Sequence, residues 1–180
     1  LTVDIVRRIG HGLGSLARER GQSTIAIGRD GRLSGPAFAS ALAEGICAAG
    51  IDVIDVGCTP TPVTYFAAHH LACHSCVSIT GSHNPPDYNG LKMVIGGETL
   101  AGEAIQALRQ RIEDGHLLTG QGSISHADVR DAYLDRILGD VKLARPMKIV
   151  IDAGNGVAGG IAPELFRRLG CELSASNALF

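Results

Sequence analysis

A serine, a histidine and a lysine lie in one stretch of this 180-residue chain, among residues that favour turns. Residues 80–92 have the sequence TGSHNPPDYNGLK, in which Ser82 and His83 are adjacent and Lys92 follows. A serine that acts as a nucleophile or carries a phosphoryl group needs exposure, a proton acceptor or cation, and a fixed backbone. The two prolines supply the last because they fix φ. The stretch predicts phosphoryl-transfer or nucleophilic chemistry, the alternative being an ordinary turn in which Ser82 and Asn84 bond to local backbone.

The element that leads into this stretch is predicted to be a strand. Residues 76–79, CVSI, form a short apolar run rich in β-branched side chains, which is typical of a buried strand. Gly81 is expected to make the turn after it, and the prolines push Asn84 out of the α region. Ser82 is therefore expected at the carboxyl end of a strand, where ligands bind in open α/β sheets.

The rest of the chain alternates short apolar runs with helical patterns. Strands are predicted at residues 25–28, 51–56, 76–79, 92–95 and 148–151, and helices at residues 3–20, 36–49, 102–114 and 127–141, with one more ending near residue 71. This alternation predicts an α/β fold with a mostly parallel mixed sheet sandwiched by helices. Residues 115–126 are polar and glycine-bearing, which favours a linker. A first domain is therefore predicted over residues 1–126, and a linking helix with the start of a second domain of similar topology over residues 127–180.

The order of residues around Ser82 resembles the phosphoserine loop of the α-D-phosphohexomutases, especially the phosphomannomutase/phosphoglucomutase branch. That family has Thr-Ala/Gly-Ser-His-Asn-Pro followed by Asn-Gly-x-Lys, and residues 80–92 contain every element. Residues 28–34, GRDGRLS, resemble the family's Gly-Arg-Asp-x-Arg-x-Ser element. Residues 152–156, DAGNG, are similar to a turn of the same family. The resemblance therefore covers nearly the whole chain.

The resemblance implies a reaction that interconverts hexose 1-phosphate and hexose 6-phosphate, of glucose or mannose, through a hexose 1,6-bisphosphate. Ser82 would carry the phosphoryl group, with His83 and Lys92 beside it. A Mg²⁺ ion would bind the phosphate on Ser82, and most of its other ligands would lie outside these residues. The residues expected to support the cleft are Arg29, Arg32, Asn84 and Asn89.

Two loops of the family do not occur in this sequence, the Asp-Gly-Asp-Gly-Asp-Arg metal loop and the Glu-x-x-Ser-Gly-His sugar loop. The chain is therefore expected to be a fragment without mutase activity of its own. Its partners would be the remaining domains of the same polypeptide.

A glycine motif supports a second hypothesis, a dinucleotide-binding oxidoreductase domain. Residues 154–159 contain G-x-G-x-x-G after a predicted strand, and Glu172 lies near the spacing of a ribose-binding acid. Against this hypothesis, no complete βαβ unit can be traced before the chain ends, and isolated glycine motifs have a high false-positive rate. Dinucleotide binding therefore ranks second.

Cys73 and Cys76 form a C-x-x-C pair near His69, His70 and His74, which could hold zinc. No second cysteine pair follows at a suitable distance, and a cysteine in a buried strand behaves as a small apolar residue. A structural role for both thiols is therefore predicted.

Composition and charge exclude several partners. The net charge is −2 with no basic block, so nucleic acid is not expected to bind. No apolar stretch reaches transmembrane length and no signal peptide is apparent, so no membrane association is expected. The five cysteines are an odd number at irregular spacing, which argues against a disulfide framework. A cytoplasmic location fits these features.

Overall fold

The computed structural model describes residues 1–176 and divides the chain into two units, Leu1–Ala127 and Asp128–Phe180. The last four residues of the predicted second domain, 177–180, lie outside the described residues. The strands of the first unit are β1 (Thr24–Arg29), β2 (Asp52–Cys58), β3 (Cys76–Ile79), β4 (Leu91–Ile95), β5 (Glu98–Thr99) and β6 (Ile124–His126). Its helices are α1 (Val3–Glu19), α2 (Gly35–Ala48), α3 (Thr61–His70) and α4 (Glu103–Glu113).

The six strands of the first unit form one mixed sheet in the order β5-β4-β3-β1-β2-β6. The pairs β1–β2, β1–β3 and β2–β6 are parallel, whereas β3–β4 and β4–β5 are antiparallel. In such folds, parallel strands are joined by right-handed crossovers that pass through helices. Two consecutive strands joined directly by a turn or loop form an antiparallel pair. The predicted α/β class with a mostly parallel mixed sheet is confirmed.

Helices cover both faces of this sheet because successive strand residues point to opposite sides. Ile25 and Ile27 of β1 are buried in a single apolar cluster together with residues of α1, α2 and α4. Gly28, the residue after Ile27, faces the other side of the sheet. A Cβ added at Gly28 would meet the Thr64 hydroxyl of α3. The predicted sandwich of helices around the sheet is therefore present.

The helices α1 and α2 approach each other at glycines. A Cβ at Gly10 of α1 would meet the carbonyl group of Leu42, and a Cβ at Gly45 of α2 would meet the carbonyl group of Arg7. Because the contacting atoms belong to backbone, these positions set how closely the two helices pack. Val6 and Leu13 of α1 are fully buried beside the contact.

The predicted linker at residues 115–126 is wrong. The segment returns to the sheet, where Gly122 N–H donates to the Cys47 carbonyl at 2.9 Å and residues 124–126 become the edge strand β6. The Asp52 carboxylate accepts hydrogen bonds from the Ser123 N–H at 2.7 Å and from its hydroxyl at 2.8 Å, which together lower the pKa of Asp52. The segment resembles a linker in composition because all three residues of β6 are exposed.

The second unit contains a helix followed by a parallel pair of strands. Its elements are α5 (Arg130–Asp140), β7 (Lys148–Asp152), a 3₁₀ turn (Val157–Gly160), α6 (Ala162–Arg168) and β8 (Glu172–Ser176). Since β8 pairs in parallel with β7, a βαβ unit is complete, and the expectation that none could be traced is wrong. Arg168 of α6 forms ion pairs with Asp131 of α5 and with Glu164, both at 2.9 Å. None of the helices within residues 1–176 combines the length and the apolar character needed to cross a bilayer.

Candidate active site

Ser82 lies exposed on the loop that follows β3. Its backbone φ is +53°, in the left-handed region, and its N–H donates to the Thr80 hydroxyl at 3.0 Å. Gly81 was expected to make the turn, but the positive φ of this loop belongs to Ser82. Non-glycine residues are uncommon in that region, and backbone strain of this kind concentrates at functional sites. The loop therefore holds a serine in an unfavourable conformation at the carboxyl end of an inner strand.

His83 is placed directly beside the serine hydroxyl. Its Nδ1 lies 3.2 Å from Ser82 Oγ, and both side chains are exposed. In the tautomer that leaves Nδ1 unprotonated, this atom can accept the hydroxyl proton. The structure thus brings together two of the residues that the sequence singled out.

Lys92 lies on β4, which returns from the loop antiparallel to β3 and places Lys92 opposite Ser78. Its side chain is exposed and has no hydrogen-bond or ion-pair partner among residues 1–176. The ammonium group is therefore available for a phosphate, although no direct contact joins it to Ser82 or His83.

The two asparagines predicted to support the cleft make contacts within the loops. Asn84 Nδ2 donates to the Gly81 carbonyl at 2.9 Å, which closes the turn around Ser82. Asn89 Nδ2 donates to the Ser34 hydroxyl at 3.0 Å, which joins the end of the loop to the start of α2. Both amides brace the backbone that carries Ser82.

The two arginines predicted to support the cleft occupy different places. Arg32 contacts the Ser82 loop through several backbone carbonyls, whereas Arg29 does not. The Arg29 guanidinium reaches the Asp30 carbonyl at 3.5 Å and lies near the Cys58 thiol. Burial raises the pKa of Cys58, and Arg29 opposes part of that rise.

Asp30 is a site residue that the sequence did not single out. Its carboxylate accepts hydrogen bonds from the Gly81 N–H at 3.2 Å and from the Arg32 side chain at 3.2 Å. The signal was present in the order Asp-Gly-Arg, because an aspartate two residues before an arginine can bond to both its backbone and its side chain.

The glycine motif of the second unit lacks the geometry of a dinucleotide site. Glu172 lies at the first residue of β8, where it pairs with Lys148 at 3.1 Å. Ligands of such folds bind beyond the carboxyl ends of the strands, at the other end from Glu172. The motif leads into the 3₁₀ turn Val157–Gly160 rather than directly into a helix. The second hypothesis therefore loses its ribose-binding acid.

The cysteine pair near the three histidines is part of the packed interior. Cys76 is buried in β3, and burial raises the pKa of its thiol to about 12. Cys73 is also buried, and its thiol donates to the Ser75 carbonyl at 3.4 Å. Within residues 1–176, no group of three or more His, Cys, Asp or Glu side chains is arranged to hold a metal ion.

A mixed sheet with helices on both faces, and an exposed serine bonded to histidine after an inner strand, define an α/β/α domain that presents a serine hydroxyl at the carboxyl end of its sheet. The family model for the phosphoglucomutase/phosphomannomutase alpha/beta/alpha domain I matches residues 1–118. The chain belongs to the phosphoglucomutase/phosphomannomutase family. The predicted family is thereby confirmed, and the oxidoreductase alternative is not supported.

Relatives with known names agree with this assignment. The chain is 51% identical over 173 residues to a phosphomannomutase/phosphoglucomutase of Pseudomonas aeruginosa, an alignment that covers 96% of this chain and 37% of the relative. It is 51% identical over 176 residues to a phosphoglucomutase of Neisseria gonorrhoeae, covering 97% and 38%. A crystal structure of a phosphoglucomutase/phosphomannomutase family protein from Burkholderia thailandensis superposes with a TM-score of 0.94 at 50% identity, covering 100% of this chain and 41% of that one. The chain thus spans about two fifths of the length of these relatives.

Proposed function

We propose that this chain supplies the phosphoserine domain, and the start of the following domain, of an enzyme that interconverts hexose 1-phosphate and hexose 6-phosphate. The observation that carries the proposal is the exposed Ser82 with φ of +53° and His83 Nδ1 at 3.2 Å from its hydroxyl. The relative from P. aeruginosa, named phosphomannomutase/phosphoglucomutase, supports glucose and mannose phosphates as substrates. Because the chain spans 37% of that relative, turnover would belong to a longer polypeptide.

In the proposed reaction, phosphorylated Ser82 transfers its phosphoryl group to the free hydroxyl of a hexose phosphate. The P–Oγ bond breaks as the sugar oxygen forms the new P–O bond, and the proton of the sugar hydroxyl ends on Ser82 Oγ, which gives a hexose 1,6-bisphosphate and a free serine. After this intermediate reorients, its other phosphoryl group transfers to Ser82 Oγ while the serine proton passes to the sugar oxygen that leaves, so the phosphoserine is regenerated. Such transfers depend mainly on positioning and on stabilisation of charge.

The roles proposed for the neighbouring side chains follow from their places in the loop and on β4. His83, with Nδ1 beside Ser82 Oγ, would orient the group or carry a proton at that oxygen. Lys92, exposed and without a partner among the described residues, would stabilise charge on the transferred phosphoryl group.

Mg²⁺ is part of the proposal, with the phosphate on Ser82 as one ligand. Mg²⁺ prefers oxygen ligands, usually one or two carboxylates with phosphate oxygens. Asp30 is the carboxylate bonded to the loop, and its oxygens already accept from Gly81 and Arg32. The described residues do not form a magnesium site by themselves, so most of the ligands would have to come from the rest of a longer polypeptide. When bound, the ion would neutralise charge on the phosphoryl group.

A cytoplasmic location also belongs to the proposal. All five cysteines are free thiols, which suits a reducing compartment. Its expected partners are the phosphosugar, hexose 1,6-bisphosphate and the remaining domains of the polypeptide.

The test is a comparison of Ser82→Ala with Ser40→Ala in the longer polypeptide. Ser82→Ala should abolish turnover and leave the fold intact, because an exposed loop substitution normally changes stability little. The control, Ser40→Ala, also removes one serine hydroxyl from an exposed position, on α2, where that hydroxyl donates to Glu44 at 3.1 Å. This variant should retain activity. Mass spectrometry after incubation with glucose 1,6-bisphosphate should locate the phosphate on Ser82. A phosphate found only on another residue would refute the assignment.

A further inference from the structure

The loop that carries Ser82 is held by a guanidinium group from a loop more than fifty residues earlier in the chain. Arg32 Nη1 donates to the carbonyl groups of Pro85 at 2.5 Å and Tyr88 at 2.8 Å. Arg32 Nη2 donates to those of Asn84 at 2.8 Å and Ser82 at 3.2 Å. One side chain thus contacts the Ser82 loop at four carbonyl oxygens, including that of the serine itself.

Asp30 holds this guanidinium group in place. Its carboxylate accepts from Arg32 Nε at 3.2 Å and from the Arg32 backbone N–H at 3.1 Å. The same carboxylate accepts from Gly81 N–H at 3.2 Å, one residue before the serine. The side chains are largely shielded, with exposures of 13% for Arg32 and 19% for Asp30, so water competes little for these bonds.

The number of donors decides what Arg32 can do. A guanidinium group has five N–H donors in a fixed planar arrangement and no acceptor. Arg32 makes five hydrogen bonds, one through Nε to Asp30 and four to loop carbonyls. No donor is left for a phosphate. This differs from Arg29, whose guanidinium reaches the Asp30 carbonyl at 3.5 Å and the Cys58 thiol but none of the loop carbonyls.

We infer that Arg32 is a positioning residue, which fixes the conformation of residues 82–88 through their carbonyl groups, and that it does not bind substrate phosphate. Asp30 supports it by fixing the guanidinium and the Gly81 N–H together. The inference deepens the proposed function and rests on it for the role of Ser82. The loop has prolines but little regular structure, so the planar group replaces the hydrogen bonds that a helix or strand would provide.

The first experiment measures amide hydrogen exchange by NMR in the 180-residue chain, with Arg32→Lys as the variant and Arg29→Lys as the matched control. Lysine keeps the charge but has three donors on one nitrogen and cannot reproduce the planar arrangement. In Arg32→Lys, the N–H groups of Asn84 and Tyr88, which bond to Gly81 and Pro85 at 3.0 Å, should exchange at least about ten-fold faster, since a ten-fold change corresponds to one lost hydrogen bond. Core amides of β1 and β3 should be unchanged, and Arg29→Lys should match the wild type. Unchanged exchange at both loop amides would overturn the inference.

A second variant covers the case in which Arg32→Lys also loses protection in the core. Asp30→Asn keeps Arg32 but replaces one carboxylate oxygen by an amide donor that faces N–H groups. It should accelerate exchange at the same loop amides, and an unchanged loop in this variant would equally overturn the inference. Chemical rescue gives an independent measurement: methylguanidinium, but not methylammonium, should slow loop exchange in Arg32→Ala. Equal effects of both cations would show that only charge is needed and would contradict the positioning role.

Kinetics in the longer polypeptide separate positioning from substrate binding. Arg32→Lys should lower kcat for glucose 1-phosphate by more than about ten-fold and leave KM within about three-fold, because a misplaced serine slows transfer without removing a substrate contact. A raised KM with an unchanged kcat would mean that Arg32 binds substrate. The exchange measurements do not depend on the chemistry of Ser82. If phosphate were found on another residue while loop exchange still changed, only the proposed function would fail.

Discussion

Replacing Gly10 by alanine should destabilise the first unit, although alanine is the better helix former. In an exposed helix interior the substitution stabilises by about 1 kcal/mol. At Gly10 the new methyl group would meet the Leu42 carbonyl oxygen, with the Leu42 Cα at 3.2 Å. Overpacking costs about 1–3 kcal/mol, and the upper end applies because backbone atoms cannot rotate away. After the gain in helix propensity, we expect a net loss of about 2 kcal/mol in the free energy of unfolding.

Gly12→Ala is the matched control, since it lies in the same helix and gains the same propensity. Its methyl group would meet Cγ1 and Cδ1 of Ile112, at 2.7 and 2.9 Å, which belong to a flexible side chain. Rotation of that side chain can relieve the contact, so the change in stability should stay within about 1 kcal/mol. Urea denaturation followed by far-UV circular dichroism would measure both variants. If Gly10→Ala were as stable as Gly12→Ala, backbone contact would not set the packing of α1 on α2.

Four further predictions concern acid stability, cofactors, metals and activity. The Ser123 hydrogen bonds lower the pKa of Asp52 below its usual value of about 3.9. The stability that the ionised Asp52 contributes is therefore present above that pH and is lost as the pH falls through the folded-state pKa. Asp52→Asn should therefore be less stable than wild type at pH 7 in urea titrations, with the difference vanishing in strong acid; a difference independent of pH would contradict this. NAD and NADP should give no saturable stabilisation, whereas a rise with cofactor concentration would restore the oxidoreductase hypothesis. Elemental analysis should find no stoichiometric zinc, and one zinc per chain, lost in Cys73→Ser, would contradict the structural role of the two thiols. The Cys76 thiol should also resist iodoacetamide at pH 8, because its pKa is raised to about 12. A coupled assay of the 180-residue chain with glucose 1-phosphate, Mg²⁺ and a trace of glucose 1,6-bisphosphate should show no turnover above the Ser82→Ala background; turnover would show that these residues suffice.

Periodicity and turn residues predicted the elements whose burial is one-sided or complete. The helix α1 and the strand β3 were both predicted within one residue of their observed ends, because apolar spacing reports directly on burial. The edge strand β6 was missed because three exposed residues carry no such pattern. The complete βαβ unit of the second unit was missed because the residues of β8 after Leu173 are serine and alanine, which give no strong apolar signal.

The site could be predicted in part for a similar reason. Ser82 and His83 are neighbours in the sequence, so their proximity could be predicted. The two prolines after the buried strand also predicted a stiff loop. The direction of the Arg32 side chain could not be predicted, because its partners lie 50 to 56 residues away and are backbone carbonyls, which every residue has. The sequence showed an arginine near a cleft, and only the fold shows that its donors are already used.

The hydrogen bonds between Arg32 and the Ser82 loop have a consequence for protein engineering. Residues 30–34 and residues 81–89 contribute to one interlocked structure, so neither is a portable module. A graft of the serine loop alone into another α/β scaffold would leave four carbonyls without their donor, and the serine would not keep its left-handed backbone. A successful transplant has to carry both segments, on two parallel neighbouring strands in the register that joins β1 to β3. By the same reasoning, a one-residue insertion between Asp30 and Arg32 should change the backbone conformation of Ser82, fifty residues later in the chain than Arg32.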